Sequence, residues 1–216
     1  MNRIHYANAI ADLNVNLLKM SVTVEEALNK SISALRDQNP GLAEEVIRDD
    51  DKINDMEMEL FDTVTTLMAT EQPVAGDLRH LIGAIRIITD LERAGDYAVH
   101  IAKGVIRLQD VKYLKPLTIL PEMAETATLM LKQAIEAFMN RDVVVAKETA
   151  KLDNEIDNGL KKIFKKLLPR MKENPDDVDQ ALELVFLGRY LERLGDHVVN
   201  ICEWVIYTGT GDHVEL

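Results

Sequence analysis

Two pairs of carboxylates carry most of the chemistry in this sequence. Glu92 and Asp96 stand four residues apart in Leu91-Glu92-Arg93-Ala94-Gly95-Asp96. Glu192 and Asp196 repeat that spacing in Leu191-Glu192-Arg193-Leu194-Gly195-Asp196, 100 positions later. On a helix, i and i+4 share a face, so each segment presents two carboxylates side by side. A second set recurs at an offset of 103: Asp50 and Asn54 match Asp153 and Asp157. Carboxylates gathered near an apolar face repel one another and resist desolvation. Protons, arginines or metal ions can neutralise them. An all-oxygen donor set suits hard cations, so Mg, Mn and Fe lead, followed by Ca and Zn.

The spacing predicts that the two sets meet. Asn54 and Glu92 each lie 19 residues from Pro73, and Asp50 and Asp96 each lie 23 from it. In an antiparallel helix pair, equal distances from the turn mean equal heights. In the second half, Asp157 and Glu192 lie 18 and 17 residues from Pro175, and Asp153 and Asp196 lie 22 and 21. A one-residue mismatch is a rise of only about 1.5 Å. Each half therefore sets an i, i+4 pair on one helix level with an i, i+4 pair on the next.

The competing explanation is arginine. Arg93 and Arg193 adjoin the motif glutamates, and Arg86 and Arg189 lie at nearby helical positions. A single such motif would read as a salt-bridged face; two level pairs, present twice, favour a metal. Gly95 and Gly195 each cost a helix about 1 kcal/mol relative to Ala. They leave room for a ligand, a backbone or a packed neighbour. His100 is i+4 from Asp96, and His197 follows Asp196 and should point about 100° away. Both read as satisfied or exposed histidines rather than ligands. Lys161, Lys162, Lys165 and Lys166 read as a solvated face, and Cys202 and most of the nine methionines as core. Trp204 and Tyr207 suit either core or an interface.

The elements that position these groups are helical. The 216-residue chain is 47% hydrophobic with only 5% aromatic residues, the core composition of a bundle. Breaks at Asn39-Pro40-Gly41, Gln72-Pro73, Lys115-Pro116, Arg141-Asp142 and Asn174-Pro175 divide it into six helices. The predicted helices run from about Asn8 to Gln38, Leu42 to Gln72, Val74 to Leu108, Glu122 to Asn140, Val143 to Lys172, and Pro175 to Thr208. The fold class is all-α: two tandem antiparallel three-helix bundles related by duplication, residues 1–114 and 115–216. The change of offset from 103 to 100 places three extra residues at the first half's second hairpin. A net charge of −12 disfavours nucleic acid and anionic lipid as partners. The single cysteine and the absence of a signal-like start fit the cytoplasm. No G-x-S-x-G, P-loop or dinucleotide fingerprint occurs. The Glu-x-x-His pairs of di-iron bundles are also missing.

With these segments the chain resembles the PhoU family of bacterial phosphate-uptake regulators. The matching segments are Leu42–Ile47 leading into Asp50 and Asn54, Gln72–Arg79, Asp90–Asp96, Arg189–His197 and Ile201–Tyr207. The resemblance implies two three-helix bundles with pseudo-twofold symmetry, metal clusters on them, and no catalytic activity. It implies a homodimer and contact with a Pst-type ABC transporter ATPase subunit and a PhoR-type histidine kinase. The outcome is repression of the phosphate-starvation response, with the membrane reached only through those partners. The implied metal ligands are Asp50, Glu92 and Asp96 in the first half, and Asp153, Asp157, Glu192 and Asp196 in the second. Asn54 departs from the all-acidic pattern; it offers a carbonyl oxygen but no charge, which predicts a weaker first site. The alternative function is a carboxylate-bridged metal-dependent enzyme, a hydrolase or oxidase.

Overall fold

The computed structural model describes residues 3–111, 113, 114 and 118–216. The helices are α1 (Arg3–Asp37), α2 (Pro40–Glu71), α3 (Gly76–Arg107), α4 (Ile119–Asn140), α5 (Val143–Lys151), α6 (Asp153–Glu173) and α7 (Val178–Thr210). A 3₁₀ turn, Pro175–Asp177, leads into α7. Among the described residues there is no strand.

Local chemistry sets the breaks. Asn39 caps α2 by accepting from the Leu42 N–H at 3.1 Å, with Pro40 in the first turn, where its missing N–H is no loss. Asp142 caps α5, one carboxylate oxygen accepting from the Val144 and Val145 N–H groups at 3.0 Å each. Gln72 and Arg141 close α2 and α4 in the left-handed conformation.

Each helix then buries its apolar stripe. On α1 the fully buried apolar positions include Leu13, Leu17, Met20, Val24 and Leu28, spaced by three and four. Helices α1 and α2 pack on α3; α4, α5 and α6 pack on α7; α3 and α7 pack on each other at the centre, and α1 also touches α4. Two three-rod bundles thus share one hydrophobic core across the α3/α7 seam. The seam is close: side chains of Thr208 and Leu187 occupy the space a Cβ would need at Gly83 and Gly104.

The expected fifth helix is corrected. It is two helices, α5 and α6, joined at Leu152. The Leu152 and Glu155 N–H groups bond back three residues, to Thr149 and Leu152, at 3.0 and 2.9 Å. That tighter turn starts a new helix at Asp153. Apolar periodicity runs through both pieces, so it could not reveal the break. The other helix ends fall within a few residues of expectation. The expected boundary between 114 and 115 adjoins residues 115–117, which lie outside the described residues. Just before it, Leu114 is buried and its N–H donates to Gln180 Oε1 at 3.2 Å, holding the chain onto α7.

Candidate metal centre

The carboxylates expected in each half lie near enough to act on one another electrostatically. In the first half, burial, then the charge of Asp96 and then that of Asp51 push the Asp50 carboxyl above its ordinary range. Lys103 and a hydrogen bond donated by the Asn54 amide oppose that rise. Burial and Asp96 push Glu92 up as well, with Glu57 and Asp50 adding to the effect and Arg93 opposing it. The α2 and α3 carboxylates therefore sense each other, as equal distance from the turn requires.

In the second half the crowding is stronger. Burial, then Asp157, Asp196 and Glu192, raise Asp153 from 3.8 to about 6. Asp153 begins α6, where the helix dipole favours a negative charge by up to about 1 kcal/mol, less than one pKa unit. Burial and repulsion act against it and hold the Asp153 carboxyl above its ordinary range. Glu192 is buried and is raised by burial and by Asp196 and Asp157, against Arg189 and Arg193.

The glycines separate the halves. A Cβ at Gly95 would lie 2.9 Å from Ile53 Cδ1, so that glycine admits an apolar neighbour. A Cβ at Gly195 would collide with Asp153 Oδ1, so that glycine admits a carboxylate oxygen. This oxygen is buried and has no hydrogen-bond partner, and Glu192 Oε2 is in the same state. A buried, unpaired carboxylate oxygen costs several kcal/mol unless something neutralises it. Two of them in one cluster fit a bound cation.

Arginines attend both clusters. Arg93 lies 3.5 Å from Glu92 and 3.2 Å from Asp96. Arg189 contacts Glu192, and Arg193 lies 3.5 Å from Asp196. Lys161 lies 3.4 Å from Asp157. As these side chains stand, no three Asp, Glu, His or Cys groups among the described residues form a ready cage for one ion. Arg86 is not part of this set; its guanidinium lies 5.4 Å from the Trp204 ring centre.

The histidines are otherwise engaged. His100 Nδ1 lies 2.6 Å from the Asp96 carbonyl oxygen. His197 Nδ1 lies 2.8 Å from Asp90 Oδ1, which also accepts from Asn200 at 3.4 Å, joining α7 to α3. Five nearby charges were missed from the sequence, the first being Asp51, directly beside Asp50. Glu57 is three residues beyond Asn54, and Lys103 and Glu203 are each seven beyond a motif aspartate. Those spacings keep one helix face, so all three were legible. Glu215, in the tail, carried no such signal.

The PhoU domain family matches this chain over residues 17–105 and again over 120–205. The chain belongs to the PhoU family. The match falls once in each half, as the repeated motif required, and bears out the resemblance seen in the sequence. A relative from Clostridium acetobutylicum, named phosphate-specific transport system accessory protein PhoU homolog, is 37% identical over 100% of this chain and 99% of its own length. One from Borreliella burgdorferi with the same name is 35% identical over 93% of this chain and 92% of its own. The crystal structure of PhoU from Pseudomonas aeruginosa superposes with a TM-score of 0.90 at 32% identity, covering 96% of this chain and 100% of that one. The PhoU structure from Streptococcus pneumoniae gives 0.91 at 28% identity, over 98% of this chain and 100% of that one.

Proposed function

We propose that this PhoU-family chain is an accessory protein of a phosphate-specific transport system that regulates phosphate uptake and signalling by protein contact. The supporting observation is the likeness, along its whole length, to a relative of that name. The proposed partners are the ATPase subunit of a Pst-type ABC transporter and a PhoR-type histidine kinase, bound at the cytoplasmic side of the membrane. Among the described residues no helix is long and apolar enough to cross a membrane, so partners would hold the protein there. The outcome of contact is repression of the phosphate-starvation response. Recovery from native membranes with antibody to the untagged chain tests this. The ATPase and the kinase are the expected co-purifying proteins; their absence sinks the proposal.

The second element is a cation, Mg, Mn or Fe, at each acidic cluster. Asp153, Asp157, Glu192 and Asp196 would hold it in the second half, and Asp50, Asn54, Glu92 and Asp96 in the first. Bound there, it supplies the positive charge that several neighbouring carboxylates lack. The protein's part is to set α2 against α3 and α6 against α7 so that those carboxylates are level. Arg93, Arg189 and Arg193 favour a rival reading, in which arginine alone neutralises the clusters and the protein is a metal-free adapter. Elemental analysis of untagged protein prepared without chelators separates the two. Bound metal supports the cation, and none under any loading condition supports the adapter. The enzymatic alternative is weaker, because the relatives carry an accessory name and no observation supplies a nucleophile. Cys202 is fully buried, and burial pushes its thiol up to about 12.

A further inference from the structure

Beyond α7 the chain folds back instead of leaving the molecule. Gly211 ends the helix at φ 86°, a left-handed conformation suited to glycine. His213 stacks on Tyr207, with ring centres 4.3 Å apart, and meets Trp204 edge-on at 5.8 Å. Val214 packs against the core. The Leu216 N–H donates to Glu203 Oε1 at 2.9 Å. An aromatic stack, an apolar contact and a hydrogen bond thus hold residues 212–216 along the outside of α7.

The tail forms one wall of a cavity of about 590 Å³, and the second acidic cluster forms another. Asp153, Asp196, Glu203 and Glu215 all line it, against Arg193 and His197. The corresponding space in the first half has Lys103 at the position matching Glu203, facing Asp50. Where one half brings a cation toward its carboxylates, the other brings two further acids.

We propose that the C-terminal tail is part of the second cation site, with Glu215 as an added carboxylate arm that closes over Asp153 and Asp196. This rests on the cation reading given above. Affinity for a hard cation rises with the number of carboxylates in reach. Glu215 is exposed and lines the same cavity as Asp153 and Asp196, and the tail backbone beside it is docked. The tail also connects the site to a reporter, since Trp204 is the only tryptophan in the chain and contacts His213.

The test is Mn²⁺ binding, followed by the loss of the free-ion paramagnetic resonance signal. The parent chain carries Asp96→Asn, so that the second cluster dominates. Adding Glu215→Gln to that chain is expected to weaken binding by about three- to tenfold. Saturating Mg²⁺ is expected to shift Trp204 emission in the parent and to leave it unchanged with Glu215→Gln. Unchanged Mn²⁺ affinity with Glu215→Gln overturns the tail's role and leaves the cation reading standing. Failure of the unmodified chain to take up Mn²⁺ overturns both.

Discussion

Gly95 and Gly195 occupy matching places in the two halves, yet different atoms press against them. Ile53 fills the space at Gly95, and Asp153 fills it at Gly195. Around the first glycine the carboxylates are partly served: Asn54 replaces an acid and donates to Asp50, and Lys103 adds positive charge. Around the second, two carboxylate oxygens are buried without partners, and the facing wall is acidic. Both clusters keep basic neighbours and raised carboxyls, but only the second leaves carboxylate oxygens of its motif residues buried without a partner. The same motif therefore sits in two different surroundings, and the difference lies in the residues one and two turns away.

The largest expected effect tests that difference directly. Asp153→Asn with Glu192→Gln removes both unpaired oxygens' charges, and is expected to lower Mn²⁺ affinity of the second cluster by about ten- to a hundredfold. Asp50→Asn with Glu92→Gln in the first half is expected to change the chain's tightest binding by less than about twofold, since that binding belongs to the other cluster. Calorimetric titration of the two double variants reads this. Equal losses would erase the distinction between the halves.

The glycines provide a second pair. Gly95→Ala gains helix propensity of about 1 kcal/mol but forces Ile53 aside, and overpacking of a full core costs about 1–3 kcal/mol. The expected net result is a destabilisation of about 1 kcal/mol in urea with cation binding retained. Gly195→Ala pushes Asp153 out of place. It is expected to weaken Mn²⁺ binding about tenfold, with a smaller effect on stability because a carboxylate can rotate toward solvent. If Gly195→Ala binds Mn²⁺ like the unmodified chain, the carboxylate cradle has no role in binding.

Acid titration gives a third contrast. Asp153 is raised to about 6 in the folded chain from 3.8, so the folded state holds its proton more tightly than the unfolded state. Its contribution to stability is complete below the unfolded value and is lost as pH rises through about 6. In cation-free buffer, Asp153→Asn should therefore flatten the fall in thermal midpoint between about pH 4 and pH 6. Asp50→Asn should flatten it less, because Asn54 and Lys103 oppose the rise of Asp50. A pH profile that Asp153→Asn leaves unchanged would show that the crowding is relieved in solution.

What the sequence disclosed follows the same division. Helical periodicity and Pro and Gly punctuation located the rods, and counting from Pro73 and Pro175 placed Asp50 level with Asp96, Asn54 with Glu92, Asp153 with Asp196 and Asp157 with Glu192. These are local, additive properties of a chain. The break at Leu152 was hidden because a change from four- to three-residue hydrogen bonding leaves the apolar pattern intact. Glu215 was hidden because its place depends on His213 and Val214 docking onto α7, a tertiary event without periodic signature. Asn54 was visible as a missing charge, but Glu57, acting on Glu92 from one turn away, shows that the first cluster regains some acidity elsewhere.

The smallest effect concerns Lys103 and Glu203, which hold the same position in the repeat with opposite charge. Lys103→Glu makes the first half resemble the second at that point and is expected to raise its Mn²⁺ affinity by about two- to threefold. Glu203→Lys does the reverse, lowering the second cluster's affinity by a similar factor and releasing the Leu216 N–H from its acceptor. Both effects act through solvent and should fade as salt approaches 1 M, where screening extends only about 3 Å. The double exchange, Lys103→Glu with Glu203→Lys, should bring the two affinities toward each other without making them equal. It leaves Ile53 beside Gly95 and Asp153 beside Gly195, and that packing difference is beyond the reach of salt.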